Sequence, residues 1–330
     1  LELGSINPLL GEPYNSNIDI NTNNINNNIY QGYSLSMNYN GNILVASGPG
    51  NDDNNGAIWI FQRMIITTTT NNNNNNNNEY EYSSSKMYTP YDSIGYSNFG
   101  QSVSITNNHN FIAIGGNNDN HGIGAVWIFK LNDTHYKHTG LNDYYQLGSK
   151  LVSYDSNGID IYQGISVSMA ANDTYNEHYR HILVVGGSGD DDSIGCVWVY
   201  IRLIDSFAMS SVDNVDSDYK YTYMQLGTKL VGSNTTGLLI RQGFSVDISD
   251  QGETIAVGGP LDDNSIGATW VFVQNTSKDL YWPVTTDDYM NNIDIIRNTG
   301  CSCSTGSSGS GSDSGGGCNC NPYYYQDGPK

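Results

Sequence analysis

Four acidic turns recur along this chain: Gly48-Pro-Gly-Asn-Asp-Asp53, Gly115-Gly-Asn-Asn-Asp119, Gly186-Gly-Ser-Gly-Asp-Asp-Asp192 and Gly258-Gly-Pro-Leu-Asp-Asp263. Carboxylates, Asn amides and main-chain carbonyls are the oxygens calcium prefers, about six to eight at a time. Asp52, Asp53, Asp119, Asp190, Asp191, Asp262 and Asp263 are therefore the candidate calcium ligands. The same residue types also make good turns, and no complete calcium-loop motif is present. Two histidine pairs, His135-Tyr-Lys-His138 and His178-Tyr-Arg-His181, would suit a transition metal only if the fold brought them together; chance and solvation explain them more simply. Cys301-Ser-Cys303 and Cys318-Asn-Cys320 enclose a Gly/Ser tract. Zinc sites usually use wider spacing, so disulfides between the two pairs are the expectation, with the pairing among Cys301, Cys303, Cys318 and Cys320 open. No nucleophile elbow, phosphate loop or His-Glu-x-x-His motif occurs, which argues against an enzyme.

The elements that position these groups repeat four times. Gly56-Ala-Ile-Trp-Ile-Phe61, Gly124-Ala-Val-Trp-Ile-Phe129, Gly195-Cys-Val-Trp-Val-Tyr200 and Gly267-Ala-Thr-Trp-Val-Phe272 place their tryptophans 68, 71 and 72 residues apart. A short apolar run precedes each acidic turn, as in Ile182-Leu-Val-Val. Before that run stands an alternating strand: Gly32-Tyr-Ser-Leu-Ser-Met37, Gly100-Gln-Ser-Val-Ser-Ile105, Gly164-Ile-Ser-Val-Ser-Met169 and Gly243-Phe-Ser-Val-Asp-Ile248. A fourth element, Tyr145-Gln-Leu-Gly-Ser-Lys150, matches Tyr223-Met-Gln-Leu-Gly-Thr-Lys229. Lys86, Lys150 and Lys229 each stand 14 residues before the next alternating strand's glycine. Strand-forming residues bounded by Gly, Asn and Asp, without helical periodicity, predict four four-stranded units in series, the pattern of a β-propeller. The repeated tryptophans are expected to pack between units, and Cys196, aligned with alanines, to be a small buried residue.

The order Gly-x-Ser-Val, Ala-Val-Gly-Gly-Pro, Asp-Asp and Gly-Ala-x-Trp-Val-Phe resembles the FG-GAP repeat of integrin α-subunit propellers, and Phe99-Gly100 keeps its namesake pair. The resemblance covers residues 1–274 and implies an extracellular adhesion or structural role. Two features depart from the family. Such propellers usually have roughly seven blades, against four units here. The integrin calcium loops also lie between first and second strands, where Asn38 to Asn42, Thr106 to Asn110, Ala170 to His181 and Ser249 to Glu253 lack a full carboxylate run.

Thirteen Lys and Arg against 33 Asp and Glu give a net charge of −20. Such a chain repels phosphate backbones and lacks the basic clusters that hold anionic lipid, which excludes nucleic-acid binding as a function. No apolar run reaches the ~20 residues of a membrane span, so no membrane insertion is expected. Polarity comes instead from 44 Asn and 37 Gly. The start at Leu1 and four sequons, at Asn132, Asn172, Asn234 and Asn275, point to a secreted or cell-surface glycoprotein.

Beyond the propeller, residues 275–300 form a strap and residues 301–330 a Cys-rich Gly/Ser tail. Thr67 to Asn78 is a low-complexity loop. Glu2-Leu-Gly-Ser5 echoes Gln146-Leu-Gly-Ser149, so the chain opens on an outermost strand. That strand completes the fourth unit, or, if Asp279 to Val284 takes that place, adds to a neighbour's sheet edge. The expectation is a non-enzymatic structural subunit that self-associates as a homo-oligomer or fibre. The alternative is a calcium-dependent adhesion module binding a protein or glycan on its Asp-lined face.

Overall fold

The computed structural model describes residues 28–67, 78–132, 134–136, 142–172, 180–204, 221–274, 296–299, 301–302 and 319–320. These residues are all-β in architecture and form four four-stranded antiparallel sheets in chain order. Sheet 1 holds β1 (Leu35–Met37), β2 (Ile43–Gly48), β3 (Ala57–Thr67) and β4 (Asn78–Tyr88). Sheet 2 holds β5 (Ser102–Ile105), β6 (Phe111–Gly116), β7 (Ala125–Leu131) and β8 (Tyr144–Gln146). Sheet 3 holds β9 (Gln163–Asn172), β10 (Arg180–Gly187), β11 (Cys196–Ile204) and β12 (Tyr221–Gln225). Sheet 4 holds β13 (Ser245–Ile248), β14 (Thr254–Gly259), β15 (Ala268–Gln274) and β16 (Ile296–Thr299).

Register is the same in every sheet. Trp59, Trp127, Trp198 and Trp270 stand opposite Ala46, Ile114, Val185 and Val257 on the second strand. Since side chains alternate across a strand, this puts each tryptophan on the face that looks back along the chain. Between sheets 1 and 2, Ile43, Val45, Ile58 and Ile60 pack against Val103, Ile112, Ile114 and Trp127. The next two junctions repeat that interdigitation around Trp198 and Trp270. Trp127, Trp198 and Trp270 pack between sheets as the sequence predicts, and Cys196 is buried; Trp59 is buried too, but among residues of its own sheet and the segment entering it. Burying each large apolar side chain is worth about 1.5–3 kcal/mol, which makes these three layers the core.

The first strands sit side by side, β1 next to β5, β5 next to β9 and β9 next to β13. Serine hydroxyls stitch them. Ser34 Oγ accepts from Val103 N, Ser36 Oγ from Ile105 N and Ser104 Oγ from Met169 N, at 3.2, 3.1 and 3.0 Å.

The fourth place in sheet 4 corrects the sequence reading. It belongs to β16, with Val271 opposite Thr299 and Gln274 opposite Ile296. Residues 2–5 and 279–284, the two segments expected there, lie outside the described residues. Two short strands, β17 (Cys301–Ser302) and β18 (Asn319–Cys320), pair with Cys301 opposite Cys320. Cys303 and Cys318 lie outside the described residues. No helix among the described residues is long and apolar enough to cross a membrane.

Candidate functional site

The acidic turns all follow the second strand of a sheet and so stand at the same end of every sheet. Their backbone explains their composition. In each, successive residues take left-handed φ: Asp52, Asp53 and Asn54; Asn120, His121 and Gly122; Asp191, Asp192 and Ser193; Asp263, Asn264 and Ser265. For most side chains that conformation costs about 1–2 kcal/mol per residue, and Asp, Asn and Gly tolerate it best. A glycine closes each turn.

The candidate carboxylates divide into two groups. Asp119, Asp190 and Asp262 open their turns and are buried. Each accepts a main-chain N–H from the segment leading into its sheet: Ile94 N at 2.6 Å, Asn157 N at 2.7 Å and Thr236 N at 2.8 Å. Asp119 also holds Lys150 Nζ at 2.5 Å, and Asp190 holds Lys229 Nζ at the same distance. Lys150 and Lys229 are thus posts for two of the buried acids; the side chain of Lys86 lies outside what the structure describes. In sheet 1 the buried position is Asn51, not an aspartate, while Asp52 and Asp53 are exposed.

The second group, Asp52, Asp53, Asp191 and Asp263, forms the left-handed rim. Asp191 accepts from Asn157 Nδ2 at 2.7 Å and from Lys229 Nζ at 2.6 Å. These hydrogen bonds, Lys229's first, hold its carboxyl below the usual range. Partial burial alone would lower Lys229, but its bonds to Asp190 and Asp191 outweigh that and raise it. Among the described residues no three His, Cys, Asp or Glu side chains come together to hold a metal.

Two residues that the sequence reading passed over do much of the positioning. Asp92 accepts from Trp127 Nε1 at 2.7 Å, Gln146 Nε2 at 2.9 Å and Lys150 N at 2.8 Å. Asp155 repeats this with Trp198 Nε1, Gln225 Nε2 and Lys229 N at 2.8, 2.9 and 2.7 Å. Each carboxylate therefore latches the loop entering a sheet to that sheet's tryptophan and outer strand. The signal was present in Tyr91-Asp92-Ser93 and Tyr154-Asp155-Ser156, each followed by a glycine three residues after the aspartate. At the matching place before sheet 4 stands Asn234, and Trp270 Nε1 turns instead to Ser233 O at 2.9 Å.

The sequons differ in setting. Asn132 is half-buried and its Oδ1 accepts from His135 N at 3.0 Å; Asn172 lies in β9 opposite Arg180. Asn234 is exposed, with a left-handed φ of 60°. Asn275 lies outside the described residues, as do His138 and His178. His181 is a core side chain, 1% exposed, with its ring edge-on to Phe111.

A pocket of about 460 Å³ lies between the first turn and the segment leading to sheet 2, lined by Asn51, Asp52, Asn55, Thr89, Ser93 and Tyr96. Asn51 Nδ2 is buried beside it without a hydrogen-bond partner. Neither the protein-family models nor the curated proteins compared with this chain give a match, so the FG-GAP resemblance rests on the repeated elements alone.

Proposed function

We propose that the chain is a non-enzymatic structural subunit of a cell-surface or fibrous extracellular assembly, an exported glycoprotein whose four sheets are FG-GAP-like β-propeller blades. One observation carries this reading: four sheets joined in series by one repeated junction, in which the recurrent acids, lysines and glutamines serve to hold loops to sheets. Side chains spent in that way build a scaffold. Sizing and electron imaging of the native full chain test it, and multi-subunit particles or fibres are the expected result. A monodisperse monomer would remove the reading.

The pocket beside Asp52, with the unmatched Asn51 Nδ2 donor at its wall open to an acceptor oxygen, favours a second reading, an adhesion module that binds protein or glycan at the turn end of the sheets; the exposed carboxylates of Asp52 and Asp53 would be its calcium ligands in the calcium-dependent form. A ligand that binds only the native state raises the melting temperature, and the stabilisation grows with the logarithm of ligand concentration above its Kd. A calcium titration without such a rise, and without effect on glycan binding, eliminates the calcium-dependent form.

A further inference from the structure

The three junctions inside the chain close with one device, a plug and a socket. The plug is the segment leading into a sheet: Asn98-Phe99-Gly100, Tyr162-Gln163-Gly164 or Arg241-Gln242-Gly243. Its first and third residues have left-handed φ, 51° and 95°, 56° and 83°, and 59° and 79° respectively. The socket ends the preceding sheet's turn: Asn54-Asn55-Gly56, Gly122-Ile123-Gly124 or Ser193-Ile194-Gly195. The first two plug N–H groups donate to the first two socket carbonyls at 2.8–3.1 Å in every case. Each socket glycine, at positive φ, lies against plug backbone where a Cβ would not fit, and each plug glycine lies against the preceding sheet in the same way.

A fourth plug and a fourth socket are built, and among the described residues they are not joined to each other. Tyr30-Gln31-Gly32 has the plug's shape, with φ 55° at Tyr30 and 90° at Gly32. Around Gly32, where the other plug glycines touch backbone, a Cβ would meet nothing within 4 Å. Ser265-Ile266-Gly267 has the socket's shape, yet among the described residues no plug donates to its carbonyls. Beside the plug, Leu35 and Met37 are 59% and 50% exposed, whereas their counterparts Val103, Ile105, Val167 and Met169 are buried. Beside the socket, Ser245 is exposed, while Ser102 and Ser166 at the same position donate to the incoming plug glycine's carbonyl at 2.9 and 2.8 Å.

We propose that these halves mate between copies, the Tyr30–Gly32 plug of one chain entering the Ser265–Gly267 socket of the next. The proposal rests on the assembly reading above and names its contact. Both halves are preformed, so association loses little ordering entropy. A head-to-tail contact of unlike surfaces propagates into an open chain unless its rotation closes a ring. Around Trp59 and Phe61 the outer part of sheet 1's leading face is already covered, which confines the contact to the plug and the inner strands. Thr254, Ala256 and Thr269 stand where sheet 3 has Ile182, Val184 and Val197, so the fourth contact is less apolar than the internal three. That balance suits subunits that also exist apart.

At the internal junctions the counterparts of Thr269 and Leu35, Ile58 and Val103, share one cluster. The single variants Leu35→Cys and Thr269→Cys, in the full chain, are mixed and treated with a short bis-maleimide, with wild type as control for the tail cysteines. A covalent heterodimer above the wild-type background is expected. Adding Ile266→Asp, at a residue 60% exposed and so harmless to folding, should cut the yield about tenfold. No heterodimer overturns the proposal. So does an internally bridged monomer as sole product of the double variant, because sheet 4 then closes on its own sheet 1. Native fibres without the heterodimer would end this contact and spare the assembly reading; a monodisperse monomer would end both.

Discussion

Three donors from three parts of the chain converge on Asp155: the Trp198 indole, the Gln225 amide and the Lys229 main chain. Asp155→Ala would leave these donors without their charged acceptor. It is expected to cost about 3 kcal/mol in denaturant unfolding, since bonds to charged groups are worth ~1.5–3 kcal/mol each and water repairs part of the loss. A change under about 0.5 kcal/mol would show that the latch is decorative. Asn234 marks the position where the latch is absent. Its left-handed, exposed placement leaves the amide accessible to a glycosyltransferase, whereas Asn132 caps a local turn through its own Oδ1 and Asn172 sits within a paired strand. Glycopeptide mapping of the chain secreted from a glycosylating host should find Asn234 more fully occupied than either. Higher occupancy at Asn172 would reverse this ordering. At both positions the backbone decides what the side chain is free to do.

At the scale of the element, the strands were legible because alternation and the Gly-x-x-Trp spacing survive in all four copies. The turns were legible as turns but not by residue. Residue type picked out Asp52 and Asp53 in the first turn, but the residue at the same distance before the tryptophan as Asp119, Asp190 and Asp262 is Asn51, and Asn51 is the buried one. A one-residue offset inside a left-handed turn leaves the composition unchanged while it exchanges core for solvent. The strand beside β15 was illegible because β16 follows more than twenty residues later and lacks the Gln-Leu-Gly signature of its counterparts. The Lys229–Asp190–Asp191 cluster gives this scale its prediction. Asp191 lies below its ordinary pKa, so its share of stability is present above pH ~4 and fades as pH falls through its lowered folded value. Lys229 lies above its own, so its share is complete below pH ~10.5 and fades only as pH rises through the raised value. Lys229→Met should therefore lower the unfolding free energy at neutral pH by about 1–2 kcal/mol after solvent screening, and flatten the decline on acidification below pH ~4, both read from denaturant melts across pH. An acid slope identical to wild type would mean that this cluster does not couple folding to protons.

At the scale of the molecule, among the described residues, sheets 2 and 3 each pack between two neighbouring sheets, while sheets 1 and 4 each pack against one. In a serial array stability is close to a sum of unit and nearest-neighbour contributions. Amide exchange should then be slowest in β6, β7, β10 and β11 and faster in β2, β14 and β15; uniform protection would point to a single cooperative unit instead. Each sheet also brings its own fitting on either side, a left-handed segment at its entry and a matching turn at its exit. A recombination event that inserts or deletes one whole repeat therefore leaves every remaining joint intact. The length of such a gene can drift by single units without passing through a misfolded ancestor.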